Sequence, residues 1–115
     1  MRLILHPFVQ RDLIGIADHI VDVTQGDITA AERRLDEVDA LLSAILDNPL
    51  SGMRLRGKLH GWLVRHGGAG NCLTVVFRPD VERTTLYVAL VAFGGKNWME
   101  IASSRSFLST KNQIV

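Results

Sequence analysis

LTVVFRPDVERTTLYVALVAF, residues 73–93, decides the fold. β-Branched and aromatic side chains fill Leu73 to Arg78 and Thr84 to Phe93, with turn residues from Pro79 to Arg83 between them, so the stretch reads as two paired strands. The second contains an uninterrupted apolar run of eight residues, Leu86 to Phe93, which predicts a central position in the sheet. Just upstream, Trp62 to His66 is a further strand, closed by the loop Gly67-Gly68-Ala69-Gly70. The expectation is a three-stranded antiparallel meander over about residues 61–93.

The first half of the chain supplies its cover. Arg2 to His6 is a short apolar strand, stopped by Pro7, where a missing N–H suits the first turn of a helix. Beyond it Val9, Leu13, Ile16, Ile20 and Val23 recur at spacings of 4, 3, 4 and 3, one stripe of an amphipathic helix. Gln25-Gly26-Asp27 interrupts, Asp27 or Thr29 caps a second helix, and Ala31, Leu35, Val38, Leu42 and Ile45 repeat the same spacing. The short connection makes the two helices antiparallel neighbours, and Asn48-Pro49 ends the second. After Gly94-Gly95, Trp98, Ile101 and Ala102 mark a short closing helix. The whole is an α+β domain: strand, antiparallel helical hairpin from Pro7 to Asn48, antiparallel meander, short C-terminal helix. One domain is expected over residues 1–108, with 109–115 a flexible tail.

Composition narrows the function classes. The longest apolar run is far short of the roughly 20 residues that a membrane span needs, and no signal peptide is apparent. Cys72 is the only cysteine, so neither an internal disulfide nor a cysteine zinc site can be built within the chain, and a cytoplasmic location is expected. The net charge of +1 is distributed unevenly: residues 1–50 carry four basic side chains against nine acids, whereas residues 51–115 carry nine basic against three. The basic half suits a nucleic acid or an acidic protein segment.

Within that half, Met53 to Leu59 reads Met-Arg-Leu-Arg-Gly-Lys-Leu, and if extended it puts Arg54, Arg56 and Lys58 in one row. Gly52 to Lys58 also matches seven positions of a phosphate-binding loop, but Leu59 stands where a Ser or Thr should bind magnesium and the flanking elements are in the wrong order. His6, His19, His60 and His66 have no metal-ligand spacing; His6 reads as a cap and His19 as a helix-surface residue. No metal and no cofactor is expected. His66 beside Arg65 is the one pairing with a chemical reading, since a histidine next to phosphate-binding cations suits RNA cleavage by general acid–base chemistry.

Several local features occur in a specific order: the Pro7 helix start with Arg11-Asp12-Leu13 inside, the Ala31 to Ile45 helix ending in Asp47-Asn48-Pro49, and Gly52 just beyond it. The Val75-Val76-Phe77-Arg78 strand end and Phe93-Gly94-Gly95-Lys96-Asn97-Trp98 follow. Over about residues 2–100 this order resembles the RelE/ParE family of bacterial type II toxin–antitoxin toxins. The last segment is similar to the family's His-Gly-x-Arg-Asp-Trp ending, with Phe93, Lys96 and Asn97 departing from it.

The resemblance implies one of two activities. RelE-type members are ribosome-dependent mRNA endoribonucleases; here their basic cluster would comprise Arg54, Arg56, Lys58, Arg65 and His66. Against that, Asn71-Cys72 stands where such members place an arginine, Phe107 stands for a tyrosine, and Tyr87 is embedded in an apolar strand. ParE-type members, linked to plasmid stabilisation, block DNA gyrase by binding it without chemistry of their own, and the residues favour that branch. The expected partners are a cognate antitoxin and gyrase. The expected partner-binding residues are Arg54, Arg56, Lys58, Arg65, Arg78, Lys96 and Trp98, and direct nucleic-acid contact belongs only to the RelE-like alternative.

Overall fold

The computed structural model describes residues 1–95 and 97–105. In chain order the elements are β1 (Arg2–Leu5), α1 (Val9–Val23), α2 (Ile28–Asp47), β2 (Met53–Arg54), β3 (Leu63–Gly67), β4 (Leu73–Asp80), β5 (Thr85–Phe93) and α3 (Trp98–Ser104). The expected α+β architecture is present, and the meander is the centre of a larger sheet of order β1-β5-β4-β3-β2. β1 joins it by parallel pairing with β5 and β2 by antiparallel pairing with β3. β5 is therefore internal, as its apolar run implied.

Local chemistry sets the helix boundaries. The His6 ring Nδ1 accepts the Phe8 N–H at 3.0 Å in the turn before α1, but Phe8 holds the cap position and α1 has no side-chain cap, so His6 is not the cap expected of it. Asp27, not Thr29, caps α2, its Oδ1 accepting the Ala30 N–H at 3.0 Å. Val9, Ile16 and Ile20 of α1 are buried, as are Ala31, Val38, Leu42 and Ile45 of α2, joined by Leu41. Val23 departs from the expected stripe: it is exposed at the hairpin tip, beyond the sheet that would cover it.

The sheet separates two cores. On the hairpin side Val9, Ile16, Val38 and Ile45 pack on Leu63, Leu73, Val75, Phe77, Leu86, Val88 and Val91. On the other side Leu59, Trp62, Val64, Val76, Tyr87, Ala89, Leu90 and Ala92 lie beneath α3, with Ala102, Trp98 and Ile101 packed over them. A β-bulge in β5 shapes the second core. Val76 is opposite Leu90 and Phe77 opposite Val88, which leaves Ala89 without a partner. Strand alternation is interrupted there, and Ala89 and Leu90 both face α3 before Val91 turns back to the hairpin side.

Two expectations for the chain after α2 are corrected. Residues 53–59 are not extended throughout: only Met53–Arg54 form a strand, and Gly57, at φ 64°, turns the chain into a short 3-10 turn over Gly57–Leu59. The row of three cations is therefore broken. Lys96 and the tail 109–115 lie outside the described residues.

Candidate functional site

β1 stops before β5 does. Its last paired residue, Leu5, is opposite Val88, and the His6 N–H donates to the Val88 carbonyl at 2.8 Å. The next N–H that alternation would turn toward β5, that of Phe8, donates instead to His6 Nδ1. From Ala89 onward β5 has no strand on that side, so its backbone groups need other partners. Asp12 of α1 and Arg105, just past α3, supply them. Asp12 Oδ2 accepts the Val91 N–H at 3.0 Å, and the Arg105 guanidinium donates to the Ala89 carbonyl at 2.9 Å. The two side chains also bind each other through two parallel hydrogen bonds of 2.7 and 2.9 Å. They are largely buried, with 7% of the Arg105 side chain and 11% of that of Asp12 exposed. A buried ion pair thus stands in for a missing strand across the bulge.

Beyond this pair, α1, the end of β5 and α3 enclose a cleft of about 410 Å3. Ile16, Leu90 and Ile101 give it an apolar lining, while Arg11 and His19 stand on its α1 side. His19 is exposed and its ring lies 6.0 Å from that of Phe93. Arg11 lies over the Phe8 ring at 4.8 Å. Arg105 and Asp12 carried no sequence signal as a pair, being 93 residues apart.

The sequence-predicted site residues separate onto two faces. Adjacent residues of a strand point to opposite sides, so Arg65 lies on the hairpin side and His66 on the α3 side. Arg65 donates to Ser51 Oγ at 2.8 Å, bracing the connection between α2 and β2. Arg54 is opposite Leu63 and shares the hairpin side. His66 bonds Thr74 Oγ1 through Nδ1 at 2.9 Å and meets the Trp98 ring edge-on at 6.1 Å. Arg56 and Lys58 line a shallow recess against α3, beside Asn97, Glu100 and Ser103. Arg78 is sandwiched between the Trp62 and Tyr87 rings, 5.3 Å from each. The expected five-residue basic cluster around His66 is therefore not assembled: Arg54 and Arg65 are removed from it by the sheet. Tyr87 is 4% exposed, as its apolar strand implied.

Two titratable groups are shifted. Burial, reinforced by the Arg105 charge, lowers the His6 pKa, with Asp12 opposing. The hydrogen bond from Arg34, followed by that from the Ala69 N–H, lowers the Glu37 pKa. Glu37 thereby ties α2 to the loop between β3 and β4. Among the described residues no three His, Cys, Asp or Glu side chains converge as metal ligands, and no helix is long and apolar enough to cross a membrane.

A strand and a helical hairpin packed on an antiparallel meander, closed by a short helix, define the RelE/ParE fold, which this chain has. A chain of the toxin–antitoxin complex RelBE2 from Mycobacterium tuberculosis is similar to it in structure, with a TM-score of 0.55 and 20% sequence identity over 80% of this chain and 95% of that one. No protein-family model matches the sequence, and no curated protein is significantly similar to it.

Proposed function

We propose that this chain is the toxin of a bacterial type II toxin–antitoxin module, of the ParE-like branch, that inhibits DNA gyrase by binding it and is neutralised by a cognate antitoxin. The likeness to a chain of a toxin–antitoxin complex supports the toxin part. The placement of Arg65 and His66 on opposite faces of the sheet carries the preference for binding over cleavage. General acid–base cleavage of RNA needs the proton-transfer group and the phosphate-binding cations within hydrogen-bond reach of one phosphodiester. Arg65 is instead engaged with Ser51, and Tyr87 is buried. The α3 side retains Arg56, Lys58, Arg78 and Trp98, a basic and aromatic surface of the type that protein interfaces favour. Gyrase supercoiling with purified protein tests the reading: loss of supercoiling at micromolar concentration is expected, and unchanged supercoiling counts against it.

A ribosome-dependent endoribonuclease is the second reading, favoured by the exposed His66 ring on the same side of the sheet as Arg56 and Lys58. Translating ribosomes given the protein would then show cut mRNA, and equal cutting by His66→Ala would remove that assignment.

A further inference from the structure

α3 depends on its docking. It has seven residues, too few for a helix to persist alone, and no side chain caps its first turn. Trp98, Ile101 and Ala102 hold it to the second core, and just past its end the Arg105 guanidinium is committed to the Asp12 carboxylate and the Ala89 carbonyl. His6 lies against this latch. It is buried, its ring meets the Phe8 ring at 5.2 Å, and the Arg105 guanidinium approaches that same ring at 5.7 Å. The charged groups facing His6 are Arg105 from the end of α3 and Asp12 from α1, while β5 offers the Val88 carbonyl, which takes the His6 backbone N–H.

Because His6 Nδ1 accepts the Phe8 N–H, the neutral ring carries its proton on Nε2, and the next proton must go to Nδ1. Protonation turns that acceptor into a donor facing a donor. It also sets a second cation beside a carboxylate whose two oxygens already serve Arg105. The His6 backbone is fixed by β5 and by the turn into α1, whereas Arg105 is carried by a helix of seven residues, so Arg105 is the group that yields. We propose that His6 is a proton-sensitive latch: in acid its imidazolium displaces Arg105 from Asp12, α3 undocks and melts, and the apolar floor of Trp62, Tyr87 and Leu90 is uncovered. Burial, reinforced by the Arg105 charge, holds the His6 pKa below its ordinary 6.5, so the latch is closed at neutral pH and opens below that value. The device is independent of which target the chain binds.

An NMR titration of the full chain from about pH 8 to about pH 5 tests this, following the His6 ring, the Ala102 amide and methyl, and the Val75 and Val76 amides of β4. The Ala102 signals should move from docked-helix to random-coil positions with the same midpoint as the His6 ring, while Val75 and Val76 keep their native positions. His6→Asn retains an acceptor for the Phe8 N–H, in an Asx turn, and cannot titrate, so there Ala102 should not move. His66, edge-on to Trp98, is the other titrating ring against α3, and His66→Gln should leave the midpoint unchanged. The proposal is overturned by the absence of an Ala102 transition above about pH 5, by a midpoint separate from that of the His6 ring, or by a transition that survives in His6→Asn. A transition that carries Val75 and Val76 with it is global unfolding and overturns it as well. If His6→Asn does not fold, the two midpoints in the unmodified chain decide alone.

Discussion

Asp12→Ala should be among the most destabilising single substitutions on α1. It leaves the Arg105 guanidinium buried without a counter-charge, and breaking a buried ion pair in this way costs about 3–5 kcal/mol. The same change deprives the Val91 N–H of its acceptor, a loss of about 1–3 kcal/mol taken alone. Because Asp12 Oδ2 serves both groups, the two losses overlap, and a total of about 4 kcal/mol follows. Domains of this size are stable by about 5–15 kcal/mol, so the variant loses a large share of its stability. Arg105→Met leaves Asp12 on Val91 but strands its other oxygen and the Ala89 carbonyl, for about 3 kcal/mol. Asp12→Ala with Arg105→Met removes both charges together and leaves two backbone groups unpaired, about 4 kcal/mol rather than the additive sum of about 7. Urea unfolding of the three variants, followed by Trp62 and Trp98 fluorescence and by circular dichroism, measures the cycle. A cost for Asp12→Ala below about 1 kcal/mol, or strict additivity, would refute the view that this pair replaces a strand across the bulge.

Other consequences are independent of that pair. His6 has a folded pKa below its ordinary 6.5, so the unfolded chain binds its proton more tightly. Its contribution to stability is complete above about pH 6.5 and is lost as pH falls through the folded value, a slope that His6→Gln should flatten in unfolding curves from pH 5 to 8. Glu37, also lowered, contributes in a more acidic window, above 4.5, and loses that contribution as pH falls through its folded value; Glu37→Gln should remove that step. Gly52→Ala places a Cβ 2.9 Å from the Val64 carbonyl oxygen and 3.2 Å from the Phe77 ring at a φ of +129°, and should cost about 2–3 kcal/mol in urea unfolding. On the proposed gyrase surface, Arg56→Glu with Lys58→Glu should raise the concentration needed for half-inhibition at least tenfold. Arg54→Glu, on the other side of the sheet, should leave it within twofold; the reverse order would relocate the surface.

Much of this architecture was legible because it follows from short-range periodicity. The paired 4, 3, 4, 3 stripes fixed the hairpin, since burial selects the same helix face that sequence spacing marks. The apolar run of β5 announced an internal strand, and Asp27 announced its cap. The cationic row failed where one glycine, Gly57, adopts a positive φ that composition does not disclose. The grouping of Arg65 with His66 failed for a simpler reason: neighbours in sequence are on opposite faces once they lie in a strand.

What the sequence determined alone, then, was the kind and order of elements, because helix and strand periods and turn residues act within a few positions. The tertiary structure decided which side chains meet. Only the parallel docking of β1, its early stop at Pro7 and the bulge at Ala89 leave part of the β5 edge unpaired. Burial then makes unpaired backbone groups costly enough that Asp12 and Arg105, 93 residues apart, are drawn together to satisfy them, with an open cleft left beside the pair.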